Sequence, residues 1–339
     1  MNVNLRATVL GFLAALAVLL LTFGFVGLGP IVNAVSMADP RVVALLPLVA
    51  AAWLLAWGLS LRVVLAVIGT PVRATTAVLV YLAATFANNV TPFGQAGGEP
   101  ITAYLIADVT ENEYETGLAA IASVDALNFV PSLSFAAIGI AYFAATAALG
   151  RHLRAAAVSL ALIATALAAG LVLGWRYRNE VRDGLTDVLT PVSRAFARLI
   201  PGRTAPSRYT VYARVDGFFV AVERVAGDRE NLLLALGFAT LGWLALSTSL
   251  WLSIYALSSA EPVAFAATLL VIPIGSIASI TPLPGGLGGI ETVLITLLVA
   301  LGVDPVTAGA AVLVHRTATY WLPTLIGGLV TVTWGADAL

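Results

Sequence analysis

The sequence predicts an all-α fold: a polytopic membrane helical bundle of two inverted-topology repeats, each with three spanning helices plus one re-entrant helical hairpin. Three observations carry this. Of 339 residues, 60% are hydrophobic and only 10% charged, too little charge to clothe a soluble globule. Ten of the seventeen cations fall between residues 176 and 230. One phrase also occurs twice, as Thr91-Pro92 followed by Gly97-Gly98-Glu99 and as Thr281-Pro282 followed by Gly288-Gly289 and Glu291. Helix breaks at matching places in two halves of a membrane protein point to a midplane transport site.

The first apolar run, residues 8 to 28 behind Arg6, matches the roughly 20 residues of a bilayer span better than a secretory signal, and reads as an uncleaved first helix. Further spans are expected at 42–61, 118–148, 155–175, 232–257 and 306–333. The arginines of 176–230 place that stretch in the cytoplasm by the positive-inside rule, which counts segments of up to about 60 residues. Working outward, the N-terminus is inside, 29–41 outside, the Arg62 to Arg73 turn inside and the Arg151 to Arg154 turn outside. The count closes if 76–108, broken at Asn88 to Gly98, enters and leaves on the cytoplasmic side, and 263–303, broken at Thr281 to Gly289, is a hairpin entered from outside. An odd number of spans per half inverts the second copy. The competing arrangement lets each broken segment cross fully. The expected repeats are 1–150 and 151–339, the second carrying a cytoplasmic interfacial insertion at 176–230. Both termini are expected in the cytoplasm, and the protein in the cytoplasmic (plasma) membrane.

Within the insertion, Leu185, Val188, Leu189, Val192, Phe196 and Leu199 recur at helical spacing opposite Arg194 and Arg198, interrupted by Pro191. A second set, Val211, Val215, Phe218, Phe219, Val222 and Val225, lies opposite Arg214 and Arg224. Two readings stand: helices lying in the lipid interface with arginines near anionic headgroups, or a solvated pair that fixes topology.

A net charge of −1 gives no surface for nucleic acid. The absence of cysteine excludes disulfides and thiolate metal sites. All the cations are arginine; guanidinium forks for phosphate are one reading, and codon bias the simpler one. His152 and His315 lack metal-ligand spacing, and no nucleophile elbow, phosphate loop or zinc motif occurs. No metal, no cofactor and no enzymatic activity are expected.

Non-helical backbone cannot face lipid, so the two breaks must line a polar cavity. Glycine lets a ligand approach the backbone, and a helix starting after each Gly-Gly directs free N–H groups into the cavity, where they attract anions, phosphate above all. Pro100 fits a first helical turn. Glycines that merely permit close helix packing are the competing reading. Glu99 and Glu291 at membrane depth each cost roughly 2.5–3.5 kcal/mol; they coordinate a cation, exchange protons, or hold an arginine. Arg316 is the natural partner, and its counterpart in the first half falls near Asp125, with Asn128 on the same helix. His315 reads as an ordinary hydrogen-bonded interfacial histidine. The expected headgroup contacts are Asn88, Asn89, Thr91, Gln95, Gly97, Gly98, Glu99, Thr281, Gly285, Gly286, Gly288, Gly289, Glu291, Arg316 and Tyr320, with Glu99, Glu291 and Asp125 setting local charge or carrying protons.

Phe86 to Glu99 (FANNVTPFGQAGGE), Thr281 to Glu291 (TPLPGGLGGIE) and His315 to Gly328 (HRTATYWLPTLIGG) resemble the flippase-like membrane family related to the transmembrane region of lysylphosphatidylglycerol synthases. The resemblance covers essentially the whole chain. It implies a polytopic protein that moves modified lipids between leaflets, beside a lipid-modifying synthase or glycosyltransferase partner. Two departures follow. These residues include no soluble synthase segment, which argues against lipid aminoacylation as its own activity. Residues 123–126 read Ser-Val-Asp-Ala where the resemblance implies a Glu-Arg pair. The expected function is therefore translocation of a polar, phosphate-bearing membrane lipid by alternating access. An intramembrane transferase acting on a lipid phosphate and a proton-coupled transporter of a small anion are the alternatives.

Overall fold

An apolar segment in lipid must satisfy every peptide group internally, so it folds as helix. The computed structural model describes residues 16–24, 27–146, 176–199, 207–257 and 263–337, with Leu13, Leu173 and Gly174, and among these residues there is no strand. The expected span at 155–175, the Arg151 to Arg154 turn and the start of the first apolar run lie outside them.

Leu16–Gly24 (α1) and Leu28–Ser36 (α2) meet at 86°. The turn between them is Gly27, whose φ of 103° suits glycine alone. Much of the stretch 29–41, expected outside, is helical: α2 buries Ile31 and packs on α12 (Pro305–Arg316). The next helix, α3 (Leu46–Ile68), joins the turn Pro40–Val43 in a 29-residue apolar run. It ends at Gly69, in left-handed conformation. The first expected hairpin is α4 (Ala74–Val90) and α5 (Gln95–Thr110), followed by α6 (Tyr114–Thr146). In the insertion stand α7 (Arg178–Leu199) and α8 (Arg208–Gly227), then α9 (Arg229–Leu257). The second hairpin is α10 (Phe265–Ile277), two short 3-10 turns at Ala278–Ile280 and Pro284–Gly286, and α11 (Gly289–Ala300). A π-turn at Thr317–Trp321 joins α12 to α13 (Leu322–Asp337). Helices long and apolar enough to cross a bilayer are Pro40–Ile68, Tyr114–Thr146 and Arg229–Leu257, whereas α4, α10 and α11 are shorter apolar pieces.

The most extensive helix pair is α3 with α9. It is tied by Trp57 Nε1 donating to the Ala239 carbonyl (3.1 Å) and Ser60 Oγ to that of Ala235 (3.2 Å). Such interhelical bonds substitute for the hydrophobic drive that lipid cannot supply. The hairpins pack crosswise: α4 lies on α13 and α10 lies on α6. Both contacts run backbone against backbone through a glycine. A Cβ on Gly139 would stand 2.8 Å from the Ala266 carbonyl oxygen, and one on Gly327 2.3 Å from that of Leu82.

In the insertion the two helices differ in what their apolar faces meet. The apolar face of α8 is used within the protein, with Val211, Val215, Ala221 and Val225 buried and the last two in a core cluster with Leu61, Val64 and Ile121. Its expected lipid face is turned to the bundle because α8 lies against α6 and α3. α7 rides on α8 through Arg182 to Asp216 (3.5 Å) and to Glu223 (3.0 Å), with Arg178 on Glu223 and Arg208 on Asp187. Leu185, Val188 and Leu189 of α7 remain exposed.

Candidate functional site

The first hairpin turns where Pro92 removes a helical N–H. Thr91 Oγ1 closes α4 on the Ala87 carbonyl (2.7 Å), and Phe93 and Gly94 take positive φ, 64° and 53°. For Phe93 this is a strained backbone. The helix then restarts at Gln95, four residues earlier than a start after Gly-Gly requires. Gly97 N and Gly98 N both donate to the Gly94 carbonyl (3.2 and 3.0 Å), so neither points a free N–H at a ligand. Pro100 accordingly stands in the second turn of α5, not the first. The two glycines serve close packing instead. A Cβ on Gly97 would lie 2.0 Å from the Pro92 carbonyl oxygen, and one on Gly98 2.0 Å from Asn88 Oδ1 and 2.7 Å from its backbone N.

The second hairpin follows the expectation. Gly285, Gly286 and Gly288 take positive φ (56°, 66° and 84°), and α11 starts at Gly289 with Gly288 as its N-cap. Thr281 and Gly289 face each other, a Cβ on Gly289 lying 3.3 Å from Thr281 Oγ1. That hydroxyl is buried without a hydrogen-bond partner.

The two tips meet. Gly285 N donates to the Thr91 carbonyl (3.4 Å), and a Cβ on Gly285 would lie 2.9 Å from Asn89 Cα. One on Gly94 would lie 2.9 Å from the Ser279 carbonyl oxygen. Tyr320 Oη donates to the Asn89 carbonyl (2.9 Å), and Asn89 Nδ2 donates to Thr324 Oγ1 (2.7 Å). Asn89 and Thr91 thus have structural partners in the protein.

The acids have different surroundings. Glu291, 2% exposed, accepts from Gly288 N through Oε2 (2.6 Å) and from Arg316 Nε through Oε1 (2.6 Å). The anion that a half-helix start attracts is here the protein's own carboxylate. Arg316 lies 4.5 Å from the centre of the Tyr320 ring, an arrangement worth about 0.5–2 kcal/mol. Its Nη2 is buried and has no partner. His315 Nδ1 meets Ser249 Oγ at 3.0 Å; the expected interfacial histidine is hydrogen-bonded, but it is buried in the core.

Glu99 is half-buried on α5, and its carboxyl lies within hydrogen-bonding reach of Asp125 on α6. The exposed Gln95 donates to Asp125 Oδ1 (2.5 Å). The predicted residues therefore sort into two clusters: Gln95, Glu99 and Asp125 on one side, and Gly285, Gly288, Glu291, Arg316, Tyr320 and Asn89 on the other. Sequence reasoning missed Thr324, Ser279 and the strained Phe93. Thr324 was discoverable, since it follows Tyr320 by one helical turn.

A model of the lysylphosphatidylglycerol synthase TM region matches residues 8–327. The chain belongs to this family. Its relatives include a UPF0104 membrane protein of Methanothermobacter thermautotrophicus, 30% identical over 98% of this chain and 94% of the relative. A UPF0104 membrane protein of Pyrococcus horikoshii is 25% identical over 72% of each chain. One of Methanocaldococcus jannaschii is 22% identical over 94% of this chain and 91% of its own. Family and apolar helices together make this an integral membrane protein, and the family points to a function tied to membrane lipids.

Proposed function

We propose that this protein is a non-enzymatic translocator that flips a polar, phosphate-bearing lipid between leaflets, with the headgroup passing the meeting point of the two hairpin tips. The observation that carries the reading is Arg316 Nη2, a buried guanidinium end without a partner in the protein. Desolvating such a donor unsatisfied is costly, and phosphate is the ligand its fork geometry suits. Glu291 aims it, by fixing Nε. The headgroup contact set is thereby narrowed to the neighbourhood of Arg316, Tyr320 and Thr281, because Asn89, Gly97 and Gly98 are occupied by protein contacts.

The crosswise packing of α4 on α13 and α10 on α6 supports two structural repeats, 1–150 and 151–339, that rock against each other. With the second inverted, such rocking exposes the site to each side in turn. The arginine-rich α7–α8 pair supports a cytoplasmic placement of 176–230 and of both termini in a plasma membrane. A lipid-modifying synthase or glycosyltransferase supplying the substrate is the partner this reading calls for.

The test uses Arg316→Lys. Lysine keeps a charge for Glu291 while removing the free fork. In vesicles containing fluorescent phosphatidylglycerol, the wild type should exchange label between leaflets and the variant should be at least ~10-fold slower, the equivalent of about 1.4 kcal/mol in the barrier. Equal rates in a folded variant remove Arg316 from the path, and chloride or phosphate movement without lipid exchange replaces the lipid by a soluble anion.

A further inference from the structure

Asp125 has one satisfied and one unsatisfied oxygen. Oδ1 accepts from Gln95, while Oδ2 is buried with no donor. The acid beside it is Glu99, one turn after Gln95 on the same face of α5, and an ionised carboxyl offers acceptors only. One turn along α6, Asn128 is 9% exposed and its Oδ1 is also buried without a partner. Residues three apart are neighbours on a helix surface, so this face of α6 presents two oxygens that lack a hydrogen, beside a third carboxyl oxygen pair.

Among the described residues, no cation is seen to fill this need. Arg316 is bound to Glu291, and Arg224 of α8 donates to the Ile68 carbonyl. The ionisable groups that reach the pair are Tyr81 on α4 and Tyr114 on α6, with Glu115 beside Tyr114. Two phenols and a further carboxyl supply no positive charge. Two carboxyls facing each other do not both stay ionised; a hydrogen on Asp125 Oδ2, directed at Glu99, satisfies both. Glu291 is the opposite case, since each of its oxygens already has a donor.

We propose that Glu99 and Asp125 form a proton-binding site and that release of this proton is coupled to lipid translocation. This rests on the transport reading above. Binding converts one carboxylate of the pair to a carboxylic acid hydrogen-bonded to the other; release returns the proton to water. The route out is short, because Glu99 is half-buried and Gln95 exposed. Coupling follows if rocking of the second half, whose Ser279 lies against Gly94 just before α5, shifts the start of α5 on α6, since separating the carboxyls removes the reason to share a proton.

Two measurements decide it. Infrared difference spectra of the whole protein in nanodiscs, titrated in light and heavy water, should show a deuterium-sensitive C=O stretch of a carboxylic acid. That band should be lost in Asp125→Asn and in Glu99→Gln; its absence from the wild type, or its persistence in both variants, overturns the site. In phosphatidylglycerol vesicles carrying fluorescent phosphatidylglycerol, an imposed proton gradient should change the wild-type exchange rate, with loss of that response in both variants. A response that follows a sodium gradient at fixed pH overturns the proton as the ligand. A wild type that moves no lipid overturns the transport reading alone, and the infrared band then decides the proton site by itself.

Discussion

Glu99 and Glu291 occupy corresponding points of one repeated phrase, yet the first faces a carboxyl and the second a guanidinium. The second is closed: Gly288 N and Arg316 Nε saturate it, and it is 2% exposed. The first is half-buried and its neighbour Asp125 keeps an oxygen without a donor. The difference teaches that duplicated sequence does not give duplicated chemistry. One copy fixes a guanidinium with one end left without a partner, and the other keeps a carboxyl oxygen without a donor.

The largest effect that would break this contrast comes from removing one partner of the closed pair. Arg316→Ala leaves a buried carboxylate with a single backbone donor, and breaking a buried ion pair costs about 3–5 kcal/mol. Glu99→Gln, at a half-buried site with no counter-charge, should cost less than about 1 kcal/mol. Unfolding in detergent, read by the loss of helical signal, compares the two directly. Equal losses would mean that the two acids have the same structural weight.

A smaller effect separates the hairpin tips. Gly98 is helical, and a Cβ there collides with Asn88, an overpacking of about 1–3 kcal/mol. Gly285 suffers a like collision with Tyr320 and Asn89, and its φ of 56° adds about 1–2 kcal/mol for an L side chain. Gly285→Ala should therefore destabilise more than Gly98→Ala. The reverse order would place the tighter junction within the first hairpin instead of between the two tips.

Much of this was legible in the sequence, for physical reasons that differ by residue. Long apolar runs have one solution in lipid, so α6 and α9 were foreseen within a few residues of their ends, while α3 runs on past the expected 61 to Ile68. The pairing of Arg316 with Glu291 was legible because a lone charge at depth is too expensive to leave unpaired. Where α5 begins was not, since Gly97-Gly98 looks the same whether it starts a helix or lets two helices touch. The fate of the α8 apolar face was equally hidden: helical periodicity reports that a face is buried, not whether lipid or protein covers it. Nor does spacing reveal that a strained Phe93, and not glycine alone, turns the first tip.

The smallest change in stability should come from Asp125→Arg, which sharpens the comparison most. It places a guanidinium opposite Glu99, one residue from the position whose offset would match Arg316, so the first half acquires the acid and base pair of the second. Coulomb attraction in the new pair is largely offset by desolvation of both charges, and the net change should stay within about 1 kcal/mol, measured in the same unfolding series. The two halves would then be chemically alike, with no carboxyl left to share a hydrogen. If the asymmetry is what couples protons to lipid movement, this variant folds as the wild type does but loses the response to a proton gradient. A variant that unfolds as Arg316→Ala does would show instead that the Asp125 site cannot hold a cation, and that the halves differ in shape around the acid as well as in charge.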